Sequence, residues 1–107
     1  MTNSNFNEVI NKQIKICKSL LEVKGEEYDA DSKDRLHSFK VAAALQSTTP
    51  LKALAGMLAK HIVSIYDMCE SGDGSIEKWT EKISDSINYL LLLKAMICED
   101  KMEKSDE

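Results

Sequence analysis

The sequence predicts an all-α fold of four helices, three long and one short, and three observations predict it. Apolar residues recur at spacings of three and four through three long segments. No segment alternates apolar and polar residues as a half-buried strand does. The segments are separated by helix-opening signals, Thr49-Pro50 and Ser71-Gly-Asp-Gly-Ser75. With 107 residues the chain is expected to be one domain over residues 1–100 with a small core, followed by a disordered charged tail, 101–107.

The first helix places Phe6, Val9, Ile10, Ile14, Cys17, Leu20 and Leu21 on one face. Asn5 is its expected N-cap, with Glu8 completing a capping box, and Tyr28 its approximate end. Gly25 is a weak point inside it. A polar connection, Asp29 to Asp34, leads to a short helix from about Lys33 to Gln46, with Leu36, Phe39, Ala43 and Val41 as its inward candidates.

At Thr49-Pro50, threonine caps and proline occupies the first helical position, where its missing N–H costs nothing. The helix so opened is expected to run to about Cys69. Leu51, Leu54, Ala55, Leu58, Ile62, Ile65 and Cys69 form its apolar stripe; Lys52, Gly56, Lys60, Ser64 and Asp67 lie opposite. Ser75 caps the last helix, which is expected to end near Glu99.

That last helix carries two rows. Glu81, Asp85, Asn88 and Leu92 share one face, and Ile76, Trp79, Ile83, Ile87 and Leu90 lie nearly opposite. The run Leu90–Leu93 points in every direction, so the helix is expected to be surrounded by protein, and more apolar surface is present than one small bundle buries. A homodimer or homotetramer follows as the expectation. Carboxylates on an enclosed helix need a cation, because an unpaired buried charge is costly. Two of them four residues apart can share Mg²⁺; the same spacing also suits a solvated face paired with Lys78 and Lys82. Lys60 is open to a phosphate, an acid or solvent, and His61 at the edge of the stripe fits a packing residue as well as a ligand.

The net charge of −4 argues against coating a DNA or RNA polymer. The beginning Met1-Thr-Asn-Ser-Asn-Phe has no signal-peptide character, and the longest apolar run, four leucines, is too short for a membrane span. Three widely spaced cysteines without a C-x-x-C pair fit reduced thiols in the cytoplasm. The Asp29–Asp34 segment lacks the ligand and glycine positions of a calcium loop, and Gly72-Asp-Gly74 lacks the ending of a phosphate-binding P-loop.

Three segments carry a family resemblance: Lys24-Gly-Glu-Glu27-Tyr28-Asp29 with Arg35; Met57-Leu-Ala-Lys60-His61-Ile-Val-Ser64; and Glu81-Lys-Ile-Ser-Asp85-Ser-Ile-Asn88-Tyr89. Together they resemble the all-α, MazG-like nucleotide pyrophosphohydrolases, in the nucleotide-modification-associated branch found in phage genomes. The resemblance implies a four-helix, MazG-like bundle that oligomerises and binds a nucleotide. It implies Lys24, Tyr28, Arg35, Lys60, His61, Asn88 and Tyr89 as ligand contacts, and Glu27, Glu81 and Asp85 as Mg²⁺ ligands. The chain departs from the family where Ala30, Ala59 and Ser64 stand in place of charged residues. Three functions stay open on this reading: Mg²⁺-dependent pyrophosphohydrolase, non-catalytic phage protein sequestering a host nucleotide signal, and helical interaction protein without a ligand.

Overall fold

The computed structural model describes residues 1–29 and 33–105, and side chains 1–28 and 33–102. Its order is α1 (Asn3–Asp29), α2 (His37–Leu45), α3 (Pro50–Ser71) and α4 (Ile76–Ser105), with no strand among the described residues. The chain is therefore all-α with three long helices and one short. The connection at 30–32 and the last two residues of the expected tail lie outside the described residues.

Local chemistry sets the boundaries. The cap of α1 is Thr2, not Asn5: its hydroxyl accepts from Asn5 N–H at 3.0 Å and its carbonyl from Phe6 N–H at 3.0 Å. A threonine three residues upstream satisfies the orphan donors first, so Asn5 lies inside the helix. α2 starts four residues later than expected. Asp34 folds the chain back on itself, its carboxylate accepting from Leu36 N–H at 3.0 Å and its carbonyl from His37 N–H at 3.1 Å.

α2 ends at a reversal where Ser47 adopts the left-handed region (φ 52°). Thr49 then caps α3 as expected, accepting from Lys52 N–H at 3.3 Å, with Pro50 in the first turn. Gly72 (φ 71°) closes α3 by donating to Met68 carbonyl at 2.8 Å. Ser75 caps α4, accepting from Lys78 N–H at 3.1 Å. α4 continues to Ser105, past the boundary expected near Glu99.

α4 is the organising helix. α3 packs along it on one side and α1 crosses it on another, while α2 lies on α3 and touches α1. Leu36, Leu54 and Met96 form the core, with Phe39, Tyr89, Leu92 and Leu93 packed around them. Leu36, Phe39 and Ala43 of the short helix face inward as expected, whereas Val41 is exposed.

Two apolar faces depart from expectation. Every residue from Met1 to Lys12 is exposed, so Phe6, Val9 and Ile10, like Ile14 beyond them, point away from the core; only from Gln13 does α1 reach α4. α3 is rotated: Leu51, Ala55, Ile62 and Cys69 are exposed, while Met57, His61, Ser64 and Met68 turn inward beside Leu54, Leu58 and Ile65. Periodicity located a stripe but not which flank the neighbouring helices cover.

The chain exposes 8016 Å², against about 6,000 Å² for a compact monomer of its mass. Its radius of gyration, 16.2 Å, exceeds the ~13 Å of a compact domain of this length.

Candidate functional site

Where α1 and the start of α2 come over the middle of α4, they leave a cleft of about 260 Å³. Lys24 and Tyr28, one turn apart on α1, line one wall; Asp85, Asn88 and Tyr89 of α4 line the other; Arg35 stands at the turn before α2. Six residues singled out in the sequence thus share one cleft. Phe39 and Met57 supply apolar floor that the sequence reading did not assign, because both enter only through the packing of α2 and α3 onto α4.

Asp85 is the electrostatic centre of the cleft. Its side chain is mostly buried, with Lys24 Nζ 3.7 Å from Oδ1 and His61 Nδ1 3.9 Å from Oδ2. The second distance is too long for a hydrogen bond, and His61 Nδ1 is buried without a partner. His61 is held by Tyr89, its ring centroid 5.2 Å away at a 45° tilt.

Asn88 is buried one turn along. Its Nδ2 donates to Cys17 carbonyl at 3.2 Å, which fixes the amide, and Oδ1 is left buried without a hydrogen-bond partner. Buried acceptors are normally satisfied. The two partnerless atoms, His61 Nδ1 and Asn88 Oδ1, belong to residues flanking Tyr89 and Asp85.

Ser84 anchors this arrangement from behind. Fully buried, it accepts from Gln13 Nε2 at 2.7 Å and donates to Thr80 carbonyl. Cys17 Sγ meets its carbonyl at 3.9 Å. These contacts set the height at which α1 crosses α4, and so the position of Lys24.

Arg35 lies against α1, donating to Leu21 carbonyl at 2.9 Å. Gly25 makes that possible: a Cβ there would come within 2.7 Å of Arg35 Nε. The glycine that weakens the helix on propensity grounds is the residue over which the guanidinium lies.

A second hollow, about 320 Å³, adjoins the cleft across Tyr89 and Met57; Lys52, Lys60, Gly56 and His61 line it. Among the described residues, Lys24, Arg35, Lys52 and Lys60 line the two hollows with one carboxylate, Asp85. That described lining is cationic on a chain of net charge −4.

Glu27 and Glu81 are exposed, and neither lines the cleft with Asp85. Glu81 instead borders a groove with Ile16, Leu20 and Ile76. Among the described residues no three acidic, histidine or cysteine side chains gather closely enough to hold a metal ion.

At the start of α2, Lys40 Nζ binds Asp34 Oδ2 at 2.6 Å and Glu99 Oε1 at 2.7 Å, clamping α2 to α4. The hydrogen bond from Lys40, reinforced by Leu36 N–H, holds the Asp34 carboxyl below its ordinary value. The same bond, with that to Glu99, raises the Lys40 ammonium.

The chain matches no protein-family model, no curated protein and no solved structure.

Proposed function

We propose that the chain is a nucleotide-binding protein on a MazG-like scaffold, with the cleft around Asp85 as its ligand site. The observation that carries this reading is the convergence of Lys24, Tyr28, Arg35, Asp85, Asn88 and Tyr89 on one cleft, with a buried acceptor of Asn88 left for a ligand donor. Small-molecule pockets usually span roughly 300–1,000 Å³. The cleft alone suits part of a nucleotide; the cleft and the adjoining hollow suit a whole one, with Lys52 and Lys60 beside its phosphates.

Mg²⁺ fits this reading as an ion carried with the phosphates. Asp85 would supply one ligand, and phosphate oxygens and waters the rest, as is usual for nucleotide-bound Mg²⁺. Glu27 and Glu81 stand outside the cleft. That favours sequestration of an intact nucleotide over pyrophosphate cleavage, which needs a fuller acid set to activate water. In this role the protein is a phage product working in the host cytoplasm as a homodimer or homotetramer. No helix of the described residues is long and apolar enough to cross a membrane.

The test is incubation with nucleoside triphosphates and cyclic nucleotides, with and without Mg²⁺, followed by chromatography. Sequestration predicts loss of free nucleotide and its recovery intact on denaturing the protein. Release of pyrophosphate that disappears in Asp85→Asn assigns the enzyme instead. No change with any nucleotide leaves the interaction protein.

A further inference from the structure

Asn88 lies one turn along α4 from Asp85 and lines the cleft. Its amide can stand only one way round. Nδ2 donates to Cys17 carbonyl at 3.2 Å, and a reversed amide would set oxygen against oxygen. Oδ1 is therefore turned away from that carbonyl, buried and without a partner. An amide oxygen accepts hydrogens and has none to give. Beside the charged groups already described, the cleft is lined by Leu21, Phe39, Met57, Leu92 and Tyr89. Apolar and aromatic lining suits a flat ring, while Lys52 and Lys60 belong to the adjoining hollow.

We infer that the cleft takes the base of the nucleotide and selects one with an exocyclic amino group, adenine, guanine or cytosine, whose N–H donates to Asn88 Oδ1. The inference rests on the proposed nucleotide site and adds its specificity. A base with oxygen or plain hydrogen in that place leaves Oδ1 buried and unpaired, and an oxygen faces it as a second acceptor. A site built around a buried hydrogen bond rejects analogues that cannot make it far more strongly than an apolar pocket rejects a change of size. Asp85 on the same wall is a further acceptor. A ring N–H, as in uracil or hypoxanthine, offers one hydrogen with a carbonyl beside it, whereas an amino group offers two.

Equilibrium titration of the whole chain tests this. Adenosine and guanosine nucleotides are compared with inosine nucleotides, and cytidine with uridine nucleotides, as triphosphates and cyclic monophosphates and in their deoxy forms. The best-bound nucleotide is expected to carry the amine and to bind about tenfold or more tighter than its amine-free counterpart. In Asn88→Ala, with helical circular dichroism retained, that preference is expected to vanish; a purely structural role would weaken both members of the pair alike. An amine-free nucleotide bound as tightly, a preference unchanged in the folded variant, or an affinity that follows the ribose hydroxyl instead overturns the selectivity and leaves the nucleotide site standing. Binding of no nucleotide overturns both. Should Asn88→Ala lose helicity, the side-chain amide resonance of Asn88 in isotopically labelled wild type decides. A larger shift with the amino nucleotide than with its counterpart supports the inference, and equal shifts overturn it.

Discussion

Along α4, Ser84 is 0% and Asn88 6% exposed on the inward side, while Ile76 is 73% and Leu90 53% exposed on the outer side. A solitary amphipathic helix has the opposite arrangement. Exposed apolar residues alone are ordinary on a protein surface, whereas buried polar ones call for a reason. Ser84 ties α1 to α4, Asn88 donates to Cys17 carbonyl, Asp85 gathers Lys24 and His61, and Ser86 donates to Lys82 carbonyl in its own helix. The outer row has regular spacing and no cover. The inner side is built for position, and substitutions should separate it from the outer one.

The largest effect belongs to the core that carries the inner side. Leu54 is 1% exposed, and Leu54→Ala should cost about 2–5 kcal/mol in urea unfolding. A smaller loss would mean that the core can collapse around the cavity. Asn88→Ala should cost about 1 kcal/mol, because it removes the bond from Asn88 to Cys17 carbonyl, which keeps its helical partner. If Asn88→Ala proves neutral by the same unfolding measurement, the inner row is not fixing the crossing of α1 and α4.

Gly25→Ala sharpens the contrast between stability and site. Alanine favours a helix by up to about 1 kcal/mol over glycine, so helicity should hold or rise. Its Cβ would displace Arg35 from α1, so nucleotide affinity should fall severalfold in a titration. Equal affinity would show that Arg35 does not depend on this seat.

The smallest effect is that of the clamp on α2. Lys40→Gln should cost about 1 kcal/mol or less, since Lys40 and both its partners are partly solvated. The depressed Asp34 contributes stability above its ordinary value of 3.8, lost as pH falls through the lower folded value. The raised Lys40 contributes stability below its ordinary 10.5, lost as pH rises through the higher folded value. Unfolding of the two proteins should therefore differ across the range between 3.8 and 10.5 and converge at both extremes.

What could be read from the sequence was what adjacent residues settle among themselves. Thr49-Pro50 and Ser75 open their helices as expected because the cap and its donors lie within one turn. The late start of α2 escaped notice because Asp34 satisfies two donors by leaving the helix path. The inward face of α3 is not legible in the sequence because apolar periodicity does not say that His61 faces Asp85 and Tyr89 rather than water. Lys24, Tyr28, Arg35, Asn88 and Tyr89 line one cleft, and the sequence singles them out only through the resemblance. Phe39 and the seat of Arg35 over Gly25 depend on how α2 returns onto α1, which no local pattern encodes.

The central claim is that the inner row of α4 forms a nucleotide site. Equilibrium titration of wild type and Lys24→Gln with nucleotides, in the presence of Mg²⁺, tests it most directly. Lys24 is half exposed beside Asp85, so the variant should fold normally. The account predicts saturable binding of at least one nucleotide by wild type, about tenfold weaker in the variant, as loss of one charged contact implies. Absence of binding by wild type at millimolar nucleotide, or equal affinity in the two proteins, would contradict it.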